Sequence, residues 1–242
     1  MRSVSHSNGI FAENVFTRPE NNSVLNSPIL VAGGSTAAYS ATLTALRLNL
    51  SVCLVQPQKV VGGQFTAQGL PASDDGDLLK QKATFSQVDG EKFAVSKLQR
   101  WFRQRQRELQ PVAGRLQDNP GGAWVCPITT TPIVSAKALN EPLVPYLQSG
   151  RLTLIVESDP VEVLIVETQT PDGRAGRSQV TGVKFRDRTT NNQFTVNSPV
   201  VIEATDFEDL LELADLPSRV GQEARSDTGE AILREEAIPA CQ

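Results

Sequence analysis

Residues 28–56 read PILVAGGSTAAYSATLTALRLNLSVCLVQ. Ile29, Leu30, Val31 and Ala32 form a short, wholly apolar run, the mark of a strand buried on both faces. Gly33 and Gly34 break it. Ala37, Ala38, Ala41, Ala45 and Leu48 then recur at helical spacing, which predicts a helix over residues 36–48 with a narrow small-residue face able to approach a sheet closely. Asn49 is its stop signal. Residues 52–55 are apolar and β-rich again, so the stretch reads as strand, glycine turn, helix, strand. This is a βαβ unit whose parallel pair is buried.

Upstream, residues 1–27 are rich in Ser, Asn and Glu with scattered apolar side chains, too little to offset their ordering entropy, and read as a flexible leader. The folded domain is expected over residues 28–242. Residues 57–77 are turn-rich, with Gly62, Gly63, Gly69, Pro71 and Gly76, and so long an irregular segment is more often functional than linker. Between residues 90 and 110, Phe93, Leu98, Trp101, Phe102 and Leu109 predict an amphipathic helix. Its Lys97, Arg100, Arg103, Arg105 and Arg107 read as a solvated face rather than a site for an anionic partner. A second irregular region, residues 118–132, precedes a helix expected over 135–147.

The β segments at 152–156, 161–166, 180–185, 194–196 and 200–202 follow, with Pro171-Asp172-Gly173 and Asn191-Asn192 between them as turn signals for an antiparallel meander. Phe207, Leu210, Leu211 and Ala214 mark a last short helix, with acidic Asp206, Glu208 and Asp209 in its first turn, where the helix dipole favours them. The segments at 29–32, 52–55 and 200–202 are expected to share one parallel sheet, their small or polar C-terminal neighbours lying where open α/β sheets bind ligands.

Composition narrows the chemistry. The 242 residues carry 23 Lys and Arg against 27 Asp and Glu, a formal net charge of −4, which argues against a nucleic-acid partner bound by bulk charge. No apolar run approaches the roughly 18 to 20 residues of a membrane span, and the N-terminus lacks a signal-peptide core. No membrane partner and a cytoplasmic location are therefore expected. Cys53, Cys126 and Cys241 are widely separated and odd in number, and the one histidine, His6, lies in the leader. No metal site and no histidine-based catalysis are expected.

Gly33-Gly34-Ser35-Thr36-Ala37-Ala38 stands where a G-x-G-x-x-G fingerprint belongs. Gly33 allows the tight turn, the second position lets backbone approach a pyrophosphate, and Ala38 permits close packing of helix on strand. Ser35 crowds that second position, although its hydroxyl is able to donate to a phosphate oxygen. The acid expected about 20 residues on is replaced by Gln56, still able to hydrogen-bond a ribose hydroxyl. The bland alternative is a tight strand-to-helix turn of any α/β domain. Val61-Gly62-Gly63-Gln64-Phe65-Thr66 follows the second strand, and Val200-Val201-Ile202-Glu203-Ala204-Thr205-Asp206 follows the meander.

On these residues, together with Asp159-Pro160-Val161 and Arg219-Val220-Gly221-Gln222-Glu223, the chain resembles the FAD-dependent oxidoreductases of the two-dinucleotide-binding, glutathione-reductase-like type. It looks closest to the bacterial subgroup labelled simply FAD-dependent oxidoreductase. The resemblance implies that Gly62, Gly63 and Thr66 run alongside the cofactor, that Val161 lies against the adenine, and that Ala204 and Thr205 return to the adenosine side. Ser35 and Gln56 depart from the pattern. Members of the family are longer, so the chain is expected to be an N-terminal portion that holds FAD weakly or not at all, shows no turnover, and exposes an apolar patch that promotes self-association.

The expected fold is therefore α/β: a Rossmann-like FAD/NAD(P)-binding domain with a parallel sheet, an antiparallel β-meander crossover and a partial cap. Residues 28–63 and 148–230 would form the core and 64–147 the cap. The expected function is a flavoprotein oxidoreductase acting on an unknown small molecule, with no catalytic acid or base assignable. A non-catalytic nucleotide-binding remnant and an NAD(P)-dependent dehydrogenase are the alternatives. Trp124-Val125-Cys126-Pro127 reads as inert packing, or as the border of a flavin face.

Overall fold

The computed structural model describes residues 2–5, 15–69, 72, 96–124, 126, 128–169, 175–217 and 221–239. Three short strands, β1 (Arg2–Ser5), β2 (Val15–Arg18) and β3 (Ser23–Asn26), precede β4 (Leu30–Ala32). Helix α1 (Thr36–Arg47) leads to β5 (Val52–Val55), and β6 (Leu152–Ile155) comes much later in the chain. A long hairpin, β7 (Ser158–Gln169) and β8 (Ala175–Asp187), is followed by β9 (Gln193–Asn197) and β10 (Val201–Glu203). The order β10-β4-β5-β6 makes one four-stranded sheet, parallel throughout. The three strands predicted to share a sheet do so. β6, grouped by sequence with the meander, is its fourth strand.

Every residue of β4 and β5 is buried, because the sheet is covered on both faces. Val31, Val52, Leu54, Leu152 and Leu154 pack with Leu43 and Leu46 of α1. Leu30, Ala32, Cys53, Val55 and Ile155 point the other way, toward Val183, Phe185, Phe194 and Val196. The latter belong to a second sheet of order β3-β9-β8-β7, in which the meander strands are antiparallel and β3 joins β9 in parallel. Helices, parallel sheet and meander thus form three layers. The Phe185 and Phe194 rings stack at a centroid distance of 5.6 Å in the second core.

Several expectations need correction. Residues 15–27 are not a loose leader: β3 is hydrogen-bonded into the second sheet and Phe16 is buried in the first core. The buried stripe of α1 is Ala38, Tyr39, Thr42, Leu43, Ala45 and Leu46, whereas Ala37 and Leu48 face solvent. The helix stops at Arg47 with Leu48 as its C-cap, and Asn49 just beyond takes the left-handed φ of +68° that turns the chain away. The helix expected over 135–147 begins earlier and is interrupted. It comprises α4 (Pro132–Asn140), a 3-10 turn (Glu141–Leu143) and α5 (Val144–Gln148), since Pro142 and Pro145 remove backbone donors that one continuous helix needs. Before these lie α2 (Gln64–Ala67) and α3 (Lys97–Leu109).

On α3 the solvated basic face is incomplete. Arg103 is buried, which pulls its guanidinium pKa down to about 10. Arg105 is clamped by Glu141 and Glu108, and Arg107 donates to the Asp118 carbonyl at 3.0 Å. Buried Gln106 donates to Thr130 and Ser135, both at 3.0 Å, knitting α3 to α4. The short helix after the meander, α6 (Asp209–Leu213), starts two residues later than the apolar spacing implied. Phe207 therefore lies outside it, 87% exposed. Phe93, Pro171-Asp172-Gly173, Arg219, Val220, His6 and Cys241 lie outside the described residues.

Candidate functional site

Three backbone segments meet at the C-terminal end of the parallel sheet. Gly33, at a φ of +126°, abuts the end of β10: a Cβ there would stand 2.0 Å from the Ala204 carbonyl oxygen and 2.4 Å from the Thr205 nitrogen. Gly63, at a φ of +54°, lies against the first turn of α1, where its Cβ would come 2.7 Å from the Thr36 nitrogen. Both conformations and both contacts require glycine. The first glycine turn, the diglycine loop and the Ala204-Thr205 pair are in this way brought to one place. Ala38 is fully buried one turn into α1, as a helix lying close to its strand requires.

The polar groups here are largely committed to building the site. Ser35 caps α1, its Oγ accepting from the Ala38 N–H at 3.2 Å and donating to the Ala204 carbonyl at 2.8 Å. The hydroxyl proton expected to reach a phosphate is thus engaged in tying helix to sheet. Ser35→Ala should remove a cap and a hydrogen bond, destabilising the fold by about 2 kcal/mol in urea denaturation. An unchanged midpoint would contradict that role. Thr66 Oγ1 donates to the carbonyls of Val61 and Gly63 at 2.9 and 3.2 Å, holding the diglycine loop closed. Thr205 Oγ1 accepts from the Asp209 N–H at 2.8 Å.

Gln56 is buried at the end of β5, where its Nε2 donates to the Gln58 carbonyl at 2.9 Å. Its amide is therefore turned into the loop. Sequence reasoning passed over Gln58, whose carboxamide lies across the glycine turn: a Cβ on Gly34 would stand 1.7 Å from Gln58 Oε1. Nothing in residue type or spacing marks it. The same loop is braced by Arg188, which grips Asp159 through two bonds of 2.6 and 2.7 Å and donates to the Pro57 carbonyl at 3.3 Å. That pairing raises the Arg188 pKa above its ordinary value. Val161 sits two residues beyond Asp159, at a bulge where the β7–β8 register slips between Pro160 and Glu162.

Electrostatics decides which helix end suits an anion. The start of α6 is crowded with carboxylates, and the Glu203 side chain already accepts from the Thr205 and Leu210 N–H groups at 2.5 and 2.7 Å. Burial, and then the neighbouring Glu203, lifts the Asp209 pKa. Helix α1 has no acid in its first turn, so its positive end meets no competing carboxylate there. A glycine turn entering such a helix at the C-terminal edge of a parallel sheet fits the pyrophosphate of a dinucleotide. Burial pushes the Cys53 thiol up to about 12, which keeps it from acting as a nucleophile. Trp124 is 92% exposed while Cys126 is buried, so the indole is not packed away with the thiol. Among the described residues no helix is long and apolar enough to cross a membrane, and no group of three or more His, Cys, Asp or Glu stands ready to hold a metal ion.

A family model described as FAD dependent oxidoreductase matches residues 28–240. No curated protein matches. Among solved structures, Sdh1 of Mycobacterium smegmatis in complex with UQ1 aligns at 14% identity and a TM-score of 0.45, over 75% of this chain and 34% of that one. Thermovibrio ammonificans THI4 aligns at 11% identity and a TM-score of 0.44, over 89% and 77%. The flavin-dependent monooxygenase PieE, solved with FAD and substrate, aligns at 15% and 0.42, over 83% and 34%. The chain thus spans about a third of the length of the first of these.

Proposed function

Because this chain belongs to the FAD dependent oxidoreductase family, we propose that it forms the dinucleotide-binding part of a flavoprotein that transfers hydride or electrons to or from a small substrate. The observation that carries this reading is the glycine-dependent meeting of the 33–36, 62–63 and 204–205 backbones beside an α1 N-terminus free of acids. When bound, FAD supplies the reversible redox chemistry. The protein's share is binding and orientation. Gly33, Gly34 and the backbone at Ser35, with Ala38 behind them, hold the pyrophosphate. Gly62, Gly63 and Thr66 flank the cofactor, and Val161, Ala204 and Thr205 border the adenosine. Residues 28–63 and 148–230 make the cofactor core, with 64–147 as a partial cap.

The site so assembled addresses the adenosine and pyrophosphate half of the dinucleotide. Equilibrium dialysis of the 242-residue chain against FAD should therefore give saturable binding with a dissociation constant below about 0.1 mM, equivalent to some 5 kcal/mol. ADP should compete and FMN should not. No saturation by FAD up to about 1 mM, or displacement by FMN alone, would sink the reading.

A further inference from the structure

We propose that the Gln58 side chain is a gate over the glycine turn, and that a dinucleotide reaches the turn only when this side chain swings out. The inference rests on the dinucleotide reading above and adds a conformational step to it. Gly34 is buried. What covers it is the Gln58 carboxamide: the three atoms nearest a Cβ placed on Gly34 are Oε1 at 1.7 Å, Cδ at 2.7 Å and Nε2 at 3.3 Å. Gly33 and Gly63 differ in that the atoms against them are main chain, held by the fold. The cover over Gly34 is a side chain, which a change of rotamer lifts.

The backbone on either side is pinned. The Gln58 carbonyl accepts from Gln56 at 2.9 Å, the Pro57 carbonyl accepts from Arg188 at 3.3 Å, and the Lys59 ammonium pairs with Glu157 at 3.4 Å. Opening is therefore a motion of side-chain torsions and leaves the loop in place. The closed rotamer carries its own cost, because Oε1 is shielded from solvent and has no hydrogen-bond partner among the described residues, a state that buried carbonyl oxygens rarely occupy. Swinging out returns that oxygen to water and gives up the contact with the turn. The two effects oppose each other, which poises the gate between rotamers of similar free energy. A phosphate cannot share the place with the closed carboxamide, since both present oxygens that only accept. Ligand affinity is then reduced by the fraction of molecules that stand open.

Calorimetric titration with ADP of the 242-residue chain and of its Gln58→Ala and Gln58→Met variants tests this. Alanine removes the gate and should tighten ADP binding by about tenfold, the factor regained when an open rotamer that made up about a tenth of the population becomes the whole of it. Methionine keeps the length of the side chain but has no carbonyl oxygen to return to water. Its closed form should gain, and ADP should bind about threefold more weakly than to the wild type. A side chain that contacted the ligand would instead lose affinity in both variants. ADP affinity that is unchanged or lowered in Gln58→Ala, or raised in Gln58→Met, overturns the gate while leaving dinucleotide binding intact. ADP that binds none of the three proteins overturns the dinucleotide reading, and the gate with it.

Discussion

Gly33→Val is expected to lose measurable flavin binding and most of its folded yield. The obstruction is main chain: a Cβ at this position would lie 2.0 Å from the Ala204 oxygen and 2.1 Å from its carbonyl carbon. Ala204 cannot retreat freely. Its N–H donates to the Ala32 carbonyl at 2.8 Å and its oxygen accepts from Ser35 at 2.8 Å. Displacing it pulls β10 away from β4 and loosens the cap of α1. With the φ of +126° adding strain for any side chain, the cost should be on the order of 4 kcal/mol or more. Gly34→Ala is the control for folding, because its obstruction is the movable Gln58 amide. Thermal melting should separate the two variants, and equilibrium dialysis against FAD should separate Gly33→Val from wild type. Equal values for wild type and Gly33→Val would falsify the packing account.

The βαβ unit was legible because its strands are buried on both faces. A sequence of four apolar residues, two glycines and a helix of small residues has few other uses. Other elements depend on partners that no local pattern reveals. β6 was grouped with the meander because only Val156 and Glu157 separate it from β7. The sheet changes at Glu157, which takes a φ of +55°, and nothing about a glutamate announces a left-handed residue. β2 and β3 were missed because a single buried apolar side chain, Phe16 or Leu25, stands in each among polar or exposed neighbours, and their order comes from distant partners. At the site, backbone-defined positions were readable while side-chain commitments were not. Ser35 and Gln56 carry the right groups for a ligand, yet each donates to a backbone carbonyl nearer to hand.

Arg18→Ala puts the N-terminal correction to a direct test. A flexible leader would tolerate the change without consequence. In the structure Arg18 closes the gap between two distant turns, donating to Asp187 at 2.6 Å and to Glu157 at 2.8 Å. The Asp187 side chain is wholly buried and that of Arg18 is only 22% exposed. Removing the guanidinium leaves the buried Asp187 carboxylate without its cation, while Glu157 keeps only the exposed Lys59 ammonium at 3.4 Å. Breaking a buried pair from one side costs about 3 to 5 kcal/mol. Here the lower end applies, because Asp187 keeps the N–H groups of Thr189 and Thr190 at 2.7 and 2.9 Å. The variant should therefore lose about 3 kcal/mol in urea denaturation, with Arg18→Lys intermediate because an ammonium cannot span both carboxylates as the planar guanidinium does. The loss should appear as a shifted midpoint without a second transition, since β2 packs beside β6 and the two must unfold together. A melting temperature within about 1 °C of wild type would return residues 15–27 to the status of a loose leader.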